Sequence, residues 1–88
     1  MGRVAITYNI MPESPEVDLD AVRSAIYKSM PEGVEVRGTA VNPVAFGLNA
    51  IKVLIIVGDK PGIADEVEKR LSAISGVESV EAVDTDLV

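Results

Sequence analysis

Apolar and polar positions alternate from Arg3 to Met11, with Val4, Ile6, Tyr8 and Ile10 on one face and Ala5, Thr7 and Asn9 on the other. A period of two with β-branched residues predicts a strand whose apolar face meets a core. The run Met11-Pro12-Glu13-Ser14-Pro15 ends it, because its two prolines remove backbone donors and restrict the residues before them. The period then changes. Leu19, Val22, Ile26 and Met30 share one helical stripe, and Asp18 stands where an N-cap is needed. Asp20 in the first turn and Lys28 in the last suit the helix dipole, and Pro31 with Gly33 closes a helix expected over 18–30.

A weaker alternation follows in Val34, Val36, Gly38 and Ala40, read as an edge strand, with a turn expected at Asn42-Pro43. The next strand is long. Phe46, Leu48, Ala50, Leu54 and Ile56 share one face with Lys52 as its single charge, while Ile51, Val53, Ile55 and Val57 fill the other. A strand apolar on both faces is central in its sheet or has its second face covered. Gly58-Asp59-Lys60-Pro61-Gly62 turns the chain into a second helix with the stripe Ile63, Val67, Leu71 and Ile74. Asp65 with Lys69 and Glu66 with Arg70 form acid-first i,i+4 pairs, Gly76 stands at a left-handed cap, and Val77 to Val83 reads as a short last strand.

The order β-α-β-β-α-β in 88 residues predicts an α+β protein of the ferredoxin-like type, with a four-stranded antiparallel sheet and two helices on one face. A weak internal repeat of two βαβ halves meets near Pro43, and the length leaves room for one domain over residues 1–88. With 48% hydrophobic residues the chain can build a core. Its longest apolar run, Val53 to Val57, is far below the roughly 18–20 residues that span a bilayer, so no membrane association and a cytoplasmic location are expected.

Composition narrows the chemistry. The chain has no His, Cys or Trp, which removes thiolate nucleophiles, zinc–sulfur sites, the Ser-His-Asp relay and the paired cysteines of a metal carrier. A net charge of −6 and only three aromatic residues, Tyr8, Tyr27 and Phe46, argue against direct nucleic-acid binding. A phosphate-cradling loop is also unexpected, since the first turn is acidic and blocked by proline. The charge is uneven. The first 70 residues hold eight basic and ten acidic side chains, whereas Glu78, Glu81, Asp84 and Asp86 follow without a base. That end reads as a solvated strand with a soluble tail, or as a surface for a basic partner. Asp84 and Asp86 are too few for a dedicated calcium cage, and neither a metal nor a cofactor is expected. Lys52 reads as a snorkelling edge residue, with a partner contact as the alternative.

Phe46 is the chain's single Phe, within Pro43-Val44-Ala45-Phe46-Gly47-Leu48. It either anchors the start of the long strand in the core or stands exposed as an interface anchor, with Gly47 allowing close backbone approach. This stretch, with Met11 to Pro15, Ile51-Lys52-Val53-Leu54 and Gly76-Val77-Glu78-Ser79-Val80, resembles the archaeal translation elongation factor 1-beta family along essentially the whole chain. The resemblance implies a guanine-nucleotide exchange factor without covalent chemistry, and therefore not an enzyme, acting on the GTPase elongation factor 1-alpha. It implies a partner-binding role for Pro43, Phe46 and Gly47. It also implies a basic residue near the C-terminus that intrudes on the partner's magnesium and phosphate site, yet this chain ends Glu81-Ala82-Val83-Asp84-Thr85-Asp86-Leu87-Val88. No catalytic residue is therefore assigned. Either a loop such as the one bearing Lys60 substitutes, or exchange relies on displacing switch segments by packing, or activity is weak. The alternative reading is a small-molecule-binding regulatory module that dimerises through its sheet.

Overall fold

The two segments richest in β-branched residues become the two inner strands of a sheet. The computed structural model describes residues 2–44, 47–58 and 61–87. Its elements are β1 (Arg3–Pro12), α1 (Leu19–Ser29), β2 (Glu35–Pro43), β3 (Asn49–Gly58), α2 (Ile63–Ser72) and β4 (Val77–Leu87). All pairings are antiparallel and the order is β2-β3-β1-β4, the expected ferredoxin-like arrangement.

The register decides which side chains share a face. Ile6 pairs with Ile55, Tyr8 with Val53 and Ile10 with Ile51, so the alternating set of β1 meets one apolar set of β3. Val22 and Ile26 of α1, and Val67 and Leu71 of α2, close over these strands in one buried cluster. Burying each such aliphatic side chain contributes about 1.5–3 kcal/mol, so this layer carries most of the stability. Asp18 caps α1 as expected, its carboxylate accepting from the backbone N–H groups of Asp20 and Ala21. Arg70 joins the two helices. Its Nε donates to Glu66 at 3.0 Å, one of the two acid-first pairs, and its Nη1 donates to the Ser29 carbonyl at 3.2 Å, at the end of α1.

Four expectations are corrected. The turn at Asn42-Pro43 is instead strand, since Pro43 still pairs with Asn49 and the hairpin is closed by the Val44 N–H donating to the Leu48 carbonyl at 2.8 Å. With Val44 donating inward, the proline nitrogen one residue earlier faces the open edge, where a missing N–H breaks no ladder bond. The long strand accordingly begins at Asn49, and Phe46 lies outside the described residues. Lys52 is not at an edge, because β3 is flanked by β1 and β2; it stands exposed in the middle of the sheet face that the helices leave bare. Finally, β4 does not stop at Val83. It runs to Leu87, pairing with β1 through Thr7–Asp84, Ala5–Asp86 and Val4–Leu87 after a register shift between Thr7 and Tyr8. Backbone pairing with β1 holds this segment in the sheet although its side chains are exposed.

The bare face is less wet than its position suggests. Ile56 is 4% exposed and Ala50 is 1% exposed. Above the end of β3, Arg3 of β1 and Glu35 of β2 meet at 3.3 Å, and Arg37 Nε approaches the other Glu35 oxygen at 2.7 Å. A contact between the two neighbours of β3 must cross that strand, and the register places it over Ile56, the partner of both Ala5 and Glu35. The hydrogen bond and charge of Arg37, with those of Arg3 added, lower the Glu35 pKa. Its stabilising contribution is present above the ordinary carboxylate range and is lost as pH falls through the lowered value.

Gly76 holds a positive φ of 91°, and a Cβ there would stand 3.0 Å from Val17 Cγ1. Gly47 also has positive φ, 76°, with nothing within 4 Å of an added Cβ. In urea unfolding, Gly47→Ala should cost about 1–2 kcal/mol for the left-handed backbone alone, and Gly76→Ala more than that. Equal losses would show that the Val17 contact carries no energy. Ending the chain after Val83 should lower stability by roughly 2 kcal/mol through lost pairing with β1; unchanged unfolding would mean that residues 84–87 behave as a tail.

Candidate partner-binding surface

The outer half of β2 runs past the reach of α1. Arg23 Nε donates to Thr39 Oγ1 at 3.1 Å, tying the helix to that level of the strand. Beyond it Val41 pairs with Ile51 yet is 43% exposed, and Val44 past the strand end is 39% exposed. Pro43 between them is exposed as well. Among the sequence-derived site residues, the structure places Pro43 and Gly47 at the same hairpin end, both open to solvent. Phe46 lies outside the described residues. Pro43, Val41 and Val44 form an apolar edge of the kind that serves as an interface rather than as core. Simple alternation of Val34, Val36, Gly38 and Ala40 leaves Val41 on the other face; the register shift between Val36 and Gly38 instead brings Thr39 and Val41 to the helix side and Ala40 to the bare side.

The bare sheet face carries an uneven charge. Glu81, Asp84 and Asp86 stand opposite Asn9, Thr7 and Ala5, so β4 presents its carboxylates along one edge of that face. Lys52, Arg3 and Arg37 lie toward β3 and β2. Among the described residues no group of three potential metal-ligating side chains comes together.

At the opposite end of the molecule, a groove of about 280 Å³ opens between the first turns of α2 and strands β1 and β4. Ile6, Tyr8, Val57 and Ala64 form its apolar floor, and Asp65, Glu68 and Thr85 stand on its rim. Tyr8 is buried to 1% exposure, and its hydroxyl donates to the Ala64 carbonyl over a long 3.4 Å. Burial, then the nearby Glu68 and Asp65 carboxylates, push its pKa up to about 12. Alternation puts Tyr8 on the core face of β1, but nothing along the chain marks the groove, which is made by residues from four elements far apart in sequence.

The two βαβ halves, the antiparallel sheet and the single helical layer define an α+β protein of the ferredoxin-like class. The ACT domain of a GTP pyrophosphokinase from Chlorobium tepidum is similar to this chain with a TM-score of 0.70 at 17% identity, covering 93% of this chain and 88% of that one. The C-terminal domain of the MgtC protein from Mycobacterium tuberculosis is similar with a TM-score of 0.66 at 19% identity, covering 92% and 85%. These likenesses show the fold alone. The chain belongs to the EF-1 guanine nucleotide exchange domain family, whose pattern matches residues 5–88. Elongation factor 1-beta of Methanoculleus marisnigri is 47% identical over 88 residues, covering 100% of both chains. That of Methanothermobacter thermautotrophicus is 44% identical over 84 residues, covering 96% of this chain and 94% of its own. Among the described residues no helix is long and apolar enough to cross a membrane.

The raised Tyr8 pKa has a definite sign. The native state holds the phenol proton more tightly than the unfolded chain, whose tyrosine titrates near 10, so stability is intact below that value and is lost as pH rises toward 12. In a Tyr27→Phe protein, tyrosinate absorbance should rise with a midpoint near 12. A midpoint near 10 would show that the hydroxyl is neither desolvated nor facing carboxylates.

Proposed function

We propose that this chain is a guanine-nucleotide exchange factor for elongation factor 1-alpha in translation elongation, acting as one exchange domain over its 88 residues. The observation that carries this reading is the family match over residues 5–88, joined by elongation factor 1-beta relatives at 47% and 44% identity along nearly their whole length. The role suits a chain without His or Cys, since exchange makes no covalent bond. The factor binds the GTPase more tightly when nucleotide is absent, and by reciprocity weakens nucleotide binding by the same factor. Each ~1.4 kcal/mol of that coupling gives up to tenfold faster release when it appears in the off-rate.

The hairpin end that joins β2 to β3 is the proposed contact, with Pro43 and Gly47 flanking the segment and Phe46 as its aromatic anchor. Exposed Val41 and Val44 support this placement by extending the apolar edge. The described end of β4 carries Asp84 and Asp86, acid where the family resemblance implies a base near the partner's phosphate site. Exchange by packing against the partner's switch segments therefore fits this chain better than insertion of a C-terminal lysine.

Release of fluorescent GDP from elongation factor 1-alpha, chased with excess GTP, tests the reading. This protein should accelerate release, and an unchanged rate would favour the regulatory-module alternative. Phe46→Ala and Val44→Asp should each slow exchange by roughly tenfold, the loss of a typical interface anchor, while leaving the unfolding midpoint nearly unchanged. A folded Phe46→Ala protein exchanging at the native rate would remove Phe46 from the surface.

A further inference from the structure

The groove at the start of α2 is not used by the hairpin contact, and its chemistry is specific. Its floor is apolar, formed by Ile6, Val57, Ala64 and the Tyr8 ring, while Asp65 and Glu68 supply two carboxylates at the rim. The N-terminal end of α2 also points here, and by itself would favour an anion. A helix dipole is worth about half a positive charge, so among the described residues that line the groove the two carboxylates outweigh it. The raised pKa of Tyr8, to which both carboxylates contribute, agrees in sign. Of the first-turn acids, Glu66 is engaged by Arg70 at 3.0 Å; among the described residues neither Asp65 nor Glu68 has an ion-pair partner.

Few occupants satisfy both halves of this site. A small inorganic cation would leave the apolar floor wet and would find two carboxylates where a dedicated site needs more. A purely apolar group would desolvate the carboxylates without compensation. A lysine or arginine side chain matches the shape and the charge, with an aliphatic stem for the floor and a cationic head for the rim. The −6 net charge of the chain adds a long-range attraction toward a basic partner surface.

We propose that the groove between α2 and β4 receives a lysine or arginine side chain from a basic segment of the GTPase partner. This rests on the exchange reading and adds a second point of attachment to it. The groove lies at the start of β1 and the end of β3, whereas the hairpin lies where β3 begins. A ten-residue strand separates them by roughly 30 Å in a molecule 42 Å long, so the two surfaces engage different points on the partner.

The test uses the full chain with Asp65→Asn/Glu68→Gln, and Glu16→Gln/Glu32→Gln, two exposed loop acids, as the control for overall charge. Binding to nucleotide-free elongation factor 1-alpha should weaken roughly tenfold in the double variant, and no more than twofold in the control, at fixed ionic strength. Combined with Val44→Asp the losses should multiply, as expected for distant sites. An active native protein whose groove variant binds like the control overturns the groove and spares the exchange reading. A native protein that neither binds nor accelerates GDP release overturns the exchange reading and this inference with it. Independently of any partner, n-butylammonium should shift the amide signals of Ala64, Glu68 and Thr85 saturably in the native protein, while 1-butanol at equal concentration should not. Absence of those shifts, or their persistence in the double variant, overturns the assignment.

Discussion

Everything in this molecule hangs on β1 being paired on both sides. Its alternating side chains meet β3 through Ile6–Ile55 and Tyr8–Val53, and its other edge holds β4 from Pro12 to Val4. The side-chain period of a strand is two, so a slip of one residue would turn Ile6, Tyr8 and Ile10 away from the helices and bring Thr7 and Asn9 against them. The register is therefore enforced by the whole apolar layer at once. With β1 and β3 fixed, β2 and β4 can only be edges, and the helices can only cover the face that Val22, Ile26, Val67 and Leu71 share with them.

That arrangement leaves three surfaces with different characters. The hairpin end is apolar because β2 outruns α1 beyond the Arg23–Thr39 contact. The bare sheet face is polar and bipolar, acid along β4 and basic toward β2. The groove beside α2 is apolar below and acidic above. An exchange factor works by differential binding rather than by bond making, so the character of exposed surfaces matters more for such a role than any reactive group. Among the described residues their charges are set by side chains on rigid strands and helices, which places them with little loss of conformational freedom on binding.

The acidic end of the chain has a structural role that its composition conceals. Glu81, Asp84 and Asp86 lie on an edge strand, where unpaired backbone groups invite another strand to add. Carboxylates along that edge repel a second copy of the same strand, and the shift of register near Val83 interrupts a flat pairing surface. These are the same residues that stand where the family resemblance implies a base.

Element order, the helical stripes, the Asp18 cap and the core faces of β1 and β3 are legible along the chain alone. Each depends on local spacing and on side-chain chemistry within a few residues. Pro43 and Gly47 stand near one another because they are neighbours in the chain. That Asp84 to Leu87 are strand emerges only in the folded molecule, since backbone pairing with β1 rather than any apolar pattern holds them there. Only it showed that Lys52 sits mid-sheet, because edge or centre depends on which strands flank β3. The exposure of Val41 depends on where α1 stops covering β2. The groove needs Tyr8, Val57, Glu68 and Thr85 brought together from four separate elements, a juxtaposition that no periodicity along the chain encodes.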